Sequence, residues 1–138
     1  PSYEEEIAVV KATTGKKVTE LKHILSALQI MEFQQLVRKI PIADNVLEYA
    51  VSLASKTRPG TDRATAEVNN YISWGAGPRA SQYLVLGAKC HAAISGKYSP
   101  DKSDVQAIAN YVLRHRIVRN YKAEAEGVTE EDVITHLL

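Results

Sequence analysis

The sequence predicts an all-α fold, a bundle of about six helices. Three observations carry that prediction. Apolar residues recur at helical spacing, as at Ile30, Phe33, Val37 and Ile40. Helix-start patterns stand ahead of such segments, as in Ser2 with Glu5 and Ser103 with Gln106. Residues 82–94 hold a single charge, Lys89, so a helix there is apolar on nearly every side and belongs in the middle of a bundle. No convincing strand pair and no internal repeat stand out.

Taken in order, the first helix starts behind Ser2, with Glu4, Glu5 and Glu6 complementing its positive end. Tyr3, Ile7 and Val10 share a face, and Gly15 closes the helix after about Thr13. Residues 15–24 are polar and of mixed propensity, which predicts a connector. Ser26 caps a second helix over 27–39, with Ile30, Phe33, Val37 and Ile40 inward, and Pro41 ends it. Asp44 caps a third over 45–57, with Val46, Ala50, Leu53 and Ala54 inward. Residues 58–65 combine turn formers with charge and almost no apolar anchor, which predicts a mobile surface loop. A short helix over 66–73 follows. Tyr71, Ile72 and Trp74 then pin the next loop, with Trp74 buried or half-buried.

Trp74-Gly75-Ala76-Gly77-Pro78-Arg79-Ala80-Ser81 reads as a tight loop that launches the central helix, residues 78–94. Gly75 and Gly77 allow backbone angles closed to other residues. Pro78 suits the first helical position. Gly96 ends the helix. Ser99-Pro100 or Ser103 starts the next, with Val105, Ile108, Ala109 and Val112 inward to about His115. Residues 117–127 give no clear signal. Thr129 starts a last short helix with Val133, Ile134, Leu137 and Leu138 on its apolar side.

Composition bounds function. The 138 residues suffice for one domain with a real core. At 45% hydrophobic and 24% charged, the chain is ordinary globular material, and no apolar run approaches the ~20 residues of a membrane span. A net charge of +1 gives no global pull toward nucleic acid or an acidic membrane. A single cysteine excludes an internal disulfide, and Cys90 reads as a buried, inert thiol in a reducing, cytoplasmic compartment.

Arg79 is the odd choice. It stands in the first turn, where the helix already carries positive charge, at a cost of about 0.3–1 kcal/mol if exposed. A helix start plus a guanidinium makes an anion site, with phosphate the common anion. Equally, Arg79 could pair with a carboxylate of its own bundle or point into water. The residues alone leave these readings open.

The runs SWGAGPRASQYLVLGAKCHA, VLRHRI and AEAEG, within a match along nearly the whole chain, closely resemble the C-terminal part of MoxR-type ATPases of the AAA+ superfamily. The resemblance implies that residues 1–138 are one helical lid domain, a C-terminal fragment of a longer ATPase. Residues 1–15 would then be the hinge helix from the missing core, with residues 1–3 near the adenine end of the site. GAGPRAS would be the sensor 2 motif, with Gly77 and Pro78 shaping the turn and Arg79 reaching the phosphates of ATP. ATP and Mg2+ would belong to the full-length protein, with none expected on this fragment alone. Rings, typically hexamers, and chaperone-like remodelling of an unknown client are implied too. The alternative is a free-standing helical protein-interaction module with Arg79 as a partner contact.

Little else in the sequence carries chemistry. The only Gly-Lys pairs are Gly15-Lys16 and Gly96-Lys97, and neither has the earlier glycine or the following Ser/Thr of a P-loop. Without Walker A or B the chain alone should hydrolyse nothing. His23, His91, His115 and His136 lack zinc spacing, and satisfied or exposed histidines are expected. Arg114-His115-Arg116, with Arg119 and Lys122, is short, poor in aromatics and followed by acids that would repel a phosphate backbone. It reads as a solvated face or a contact with a subunit or the core, not as a nucleic-acid patch.

Overall fold

A computed structural model describes residues 1–15 and 22–138. Eight helices and one two-stranded ribbon are present among them. The sequence-predicted connector falls mostly on residues 16–21 and lies outside the described residues. The chain divides into two compact units, residues 1–31 and 32–138.

The first unit holds α1, Tyr3–Thr14, and the opening residues of α2, Ala27–Lys39. The Ser2 side chain accepts from the Glu5 N–H, and the Glu5 carboxylate accepts from the Ser2 N–H at 2.7 Å, a complete capping box. Gly15 closes α1 in an extended conformation, not a left-handed one. Ser26 and Gln29 form the same reciprocal cap for α2. Neither α1 nor α2 buries a residue. Ile30 and Phe33, expected inward, are about half exposed, and only Val37 and Ile40 are partly covered.

The second unit holds the core. It is built on α3, Asp44–Lys56, α5, Pro78–Ile94, and α6, Lys102–Leu113. α5 buries Ala80, Leu84, Ala88 and Ala92, one stripe at four-residue spacing. Gly87, beside that stripe, lets α6 approach closely: a Cβ on it would lie 3.1 Å from the Ile108 side chain. Val105, Ala109 and Leu113 of α6 and Val46, Ala50, Leu53 and Ala54 of α3 complete the centre. α8, Glu130–Leu137, closes it with Val133, Ile134 and Leu137 behind a Thr129–Asp132 capping box.

Several sequence expectations need correction. Asp44 is the first residue of α3 and not its cap; Ala43 holds that position without a side-chain bond. α6 starts at Lys102 behind Asp101, whose carboxylate accepts from the Ser103 and Asp104 N–H groups, so the expected Ser103 cap is displaced by two residues. A carboxylate at this position also meets the positive helix end, which a hydroxyl does less well. Residues 117–127, unreadable from sequence, form strand β2, Val118–Arg119, and helix α7, Tyr121–Glu126. β2 pairs antiparallel with β1, Ile72–Trp74, which follows α4, Ala66–Tyr71. These strands are two and three residues long, too short for any alternating pattern to register. Loop 58–65 is better anchored than its composition suggests. The Gly60 N–H donates to Asn69 Oδ1 at 2.8 Å, Thr61 Oγ1 donates to the Arg58 carbonyl at 2.9 Å, and Ala64 packs on the core. Cys90 is partly exposed instead of buried.

Candidate functional site at the start of α5

The loop before α5 is held from two sides. On one side stands the end of α3. Thr57 is fully buried; its hydroxyl donates to the Ala54 carbonyl at 2.7 Å and accepts from the Ala76 N–H at 2.9 Å. Arg58 Nε donates to the Ala76 carbonyl at 2.8 Å. Two consecutive residues therefore satisfy both backbone groups of Ala76, which is itself fully buried. On the other side is the ribbon, where Ile72 pairs with Arg119 and Trp74 with Val118. Asn120 extends that grip, its N–H donating to the Tyr71 carbonyl at 2.9 Å and its side-chain amide to Asn70 at 2.7 Å.

The two loop glycines do different work from that expected. Neither has a positive φ. Gly75 is required by close approach, since a Cβ there would lie 2.3 Å from the Thr57 carbonyl oxygen. Gly77 is the N-cap of α5 in ordinary extended backbone, and a Cβ on it would meet nothing within 4 Å among the described residues. Having no side chain, it leaves the helix start uncapped. Pro78 occupies the first turn as expected. A hollow of about 370 Å³ lies beside the loop, lined by Arg58, Pro59, Trp74 and Gly77 among others.

Arg79 is exposed beside the fully buried Ala80. It makes no ion pair and no side-chain hydrogen bond among the described residues. Of the readings left open above, the pairing with an acid of its own bundle is thus absent there. Trp74 is 74% exposed, not an anchor; Ile72 at 3% and Ala76 at 0% hold the loop instead.

The basic run does not form one patch. Arg119 Nε donates to Glu130 Oε1 at 2.9 Å, and Arg114 lies 3.8 Å from Glu131. Arg116 has no carboxylate among the described residues. Its Nη1 donates to the Val112 carbonyl and lies against His115 Nε2, and its guanidinium sits 5.0 Å from the centroid of the Tyr83 ring. Tyr83 is four residues beyond Arg79 on α5, so their side chains are neighbours on that helix.

At the far end of α5 a second polar cluster fixes the turn into α6. Asp104 is fully buried. It binds His91 Nδ1 at 2.7 Å, Lys97 Nζ at 3.0 Å and the Asp101 N–H at 2.8 Å. Burial alone would raise the Asp104 carboxyl, but the Asp101 N–H, His91 and Lys97 together hold it below the usual carboxylate value. The carboxylates of Asp104 and Asp101 push Lys97 up. Gly96 takes the left-handed conformation (φ 74°) that this turn needs. The sequence showed Lys97 and His91 as unrelated residues; the turn is what joins them to Asp104.

Residues missed at the first site are Thr57, Arg58 and Asn120. Their signal is weak, because each acts through a backbone contact 19 or more residues along the chain or, for Arg58, 18 residues away. No helix among the described residues is long and apolar enough to cross a membrane.

Comparison with known proteins matches this architecture. The AAA lid domain family model covers residues 64–137, from just ahead of α4 through α8. The chain is 29% identical over its whole length to Chaperone MoxR1 of Mycobacterium tuberculosis, of which it covers 36%. It is 24% identical over its whole length to the uncharacterized protein YeaC of Bacillus subtilis, covering 41% of it. A crystal structure of a candidate ATPase from Cytophaga hutchinsonii superposes with a TM-score of 0.80 at 26% identity, over 99% of this chain and 42% of that one. The chain thus spans well under half of the length of each of these relatives. With residues 64–137 matched, more than half of its length, the chain belongs to the AAA lid domain family and is homologous to part of the MoxR chaperone.

Proposed function

We propose that this bundle is the sensor 2 lid of a MoxR-type AAA+ ATPase. It closes over ATP held in the protein's core domain, and Arg79 is the residue that reaches the phosphates. The observation that carries this reading is an exposed Arg79 in the first turn of α5, free of any acid among the described residues. A cation in that turn adds to the positive helix end instead of offsetting it, so its natural complement is an anion from outside the bundle.

The local residues suit a polyphosphate. Gly77 leaves the helix start open, Pro78 fixes its direction, and the Thr57–Arg58 clamp on Ala76 fixes its position. Bound ATP with Mg2+ supplies the cleavable phosphate anhydride, the metal being held by core residues. Arg79 acts electrostatically, its attraction growing with the charge presented to it. A lid held to the core partly through that contact changes its orientation as the charge changes, a rigid-body hinge response. Residues 1–15 would serve as the hinge helix, consistent with a capped start and no buried side chain. In this reading the parent protein forms a homo-oligomeric ring, typically a hexamer, and turns hydrolysis into chaperone-like remodelling of a client.

The test is ATP turnover by the full-length protein with Arg79→Ala. A fall of about tenfold or more in kcat supports the assignment, the loss of one charged contact being worth roughly that. Unchanged turnover together with unchanged nucleotide affinity removes it and favours the interaction module.

A further inference from the structure

We infer that Arg116 is a second anion-binding residue beside Arg79, presented by the face of Tyr83. The inference rests on the reading of Arg79 given above and extends the site to a residue on a different element.

The structure separates the arginines of the run by what they already hold. Arg119 is committed to Glu130 and the Val128 carbonyl, both at 2.9 Å. Arg114 faces Glu131. Among the described residues Arg116 alone of the three has no acidic partner: it meets a carbonyl, an imidazole nitrogen and an aromatic ring. Those contacts fix the direction of the guanidinium without neutralising it. A guanidinium over a tyrosine face keeps its edge N–H groups free to donate in the plane of the fork.

Its position follows from three adjacencies. Arg116 stacks on Tyr83, and Tyr83 neighbours Arg79 one helical turn away on α5. Arg116 also lies two residues before Val118, which pairs with Trp74 of the same loop that precedes Arg79. We therefore place Arg79, Tyr83, Arg116, Val118 and Trp74 on one rim near the start of α5, linked by these contacts. Two guanidiniums on that rim lack an acid among the described residues. Two like charges left together on one surface repel, and that repulsion is relieved by a ligand bearing more than one negative charge. A nucleotide di- or triphosphate has that chemistry, with more than one phosphoryl group to share between the two arginines.

The experiment measures ATP, ADP and AMP affinity in the full-length protein for Arg79→Ala, Arg116→Ala, Arg116→Lys and Tyr83→Leu, with assembly state followed by light scattering. Arg116→Ala should weaken ATP about tenfold or more and leave AMP unchanged. Arg116→Lys should recover part of the loss. Tyr83→Leu should weaken ATP less, because it frees the guanidinium without removing it. If Arg79→Ala weakens ATP and Arg116→Ala does not, Arg116 has no place in the site while the lid assignment stands. If Arg79→Ala changes neither nucleotide affinity nor ATP turnover, that assignment itself fails. Loss of assembly in Arg116→Ala, with or without loss of affinity, overturns the inference and makes Arg116 a subunit contact.

Discussion

Gly75 passes so close to the end of α3 that a Cβ on it would lie 2.3 Å from the carbonyl oxygen of Thr57. The neighbour there is backbone, which cannot swing aside as a flexible side chain can. Gly75→Ala should therefore push the loop off α3 at a cost of about 1–3 kcal/mol, with loss of ATP affinity in the full-length protein. Gly77→Ala, facing open space, should cost well under that amount. Urea denaturation of both variants checks the contrast, and equal costs would contradict it.

Thr57 makes the same junction from its side chain. Thr57→Val keeps the shape but removes the acceptor for the buried Ala76 N–H. An unpaired buried donor costs about 1–3 kcal/mol. The midpoint in urea should fall with an unchanged m-value, because the surface exposed on unfolding stays the same.

Acid sensitivity should report on Asp104. Its folded carboxyl titrates below the ordinary value of 3.8, so it binds protons less readily folded than unfolded. The stability it contributes is full above that unfolded value and is lost as pH falls through the lower folded one. Unfolding free energy measured from pH 6 down to pH 2 should fall most steeply below about pH 4, the unfolded carboxylate range. Asp104→Asn should be less stable at pH 6 and show a shallower acid fall.

Trp74 is the only tryptophan, and its indole stands three-quarters in solvent. Its fluorescence in the isolated chain should be readily quenched by acrylamide. Trp74→Ala should change stability by less than about 1 kcal/mol, as surface substitutions do. Strong protection from quencher would place the side chain in the core, against the fold described.

Much of this architecture was legible in the residues. α5 could be read because one charge in residues 82–94 and a Gly-Pro start leave few alternatives, and its bounds match those expected. α8 could be read from Thr129 and the acids behind it. The inward set of α3 followed from periodicity; of the α6 set Val105 and Ala109 are buried, Ile108 and Val112 only partly, and the fully buried Leu113 was not foreseen. Periodicity failed for α2, where Ile30 and Phe33 repeat correctly yet remain half exposed; spacing shows that a helix has an apolar face, not what covers it. The β1–β2 ribbon was invisible because its pairing joins residues more than forty apart over two or three positions. At the candidate site the loop and Arg79 were evident, but not their brace. Thr57 and Arg58 act through the backbone of Ala76, and a backbone contact leaves no mark on residue type except at Gly75. The division of the basic run into paired and unpaired arginines depends on where α8 places Glu130 and Glu131, which only the tertiary fold determines.

The central claim is that Arg79 faces a phosphate. The most direct measurement is a structure of the full-length protein bound to a non-hydrolysable ATP analogue, read at that guanidinium. A guanidinium nitrogen at roughly 2.7–2.9 Å from a β- or γ-phosphate oxygen is the predicted result. Arg79 directed away from the nucleotide, or paired with a carboxylate, would contradict it.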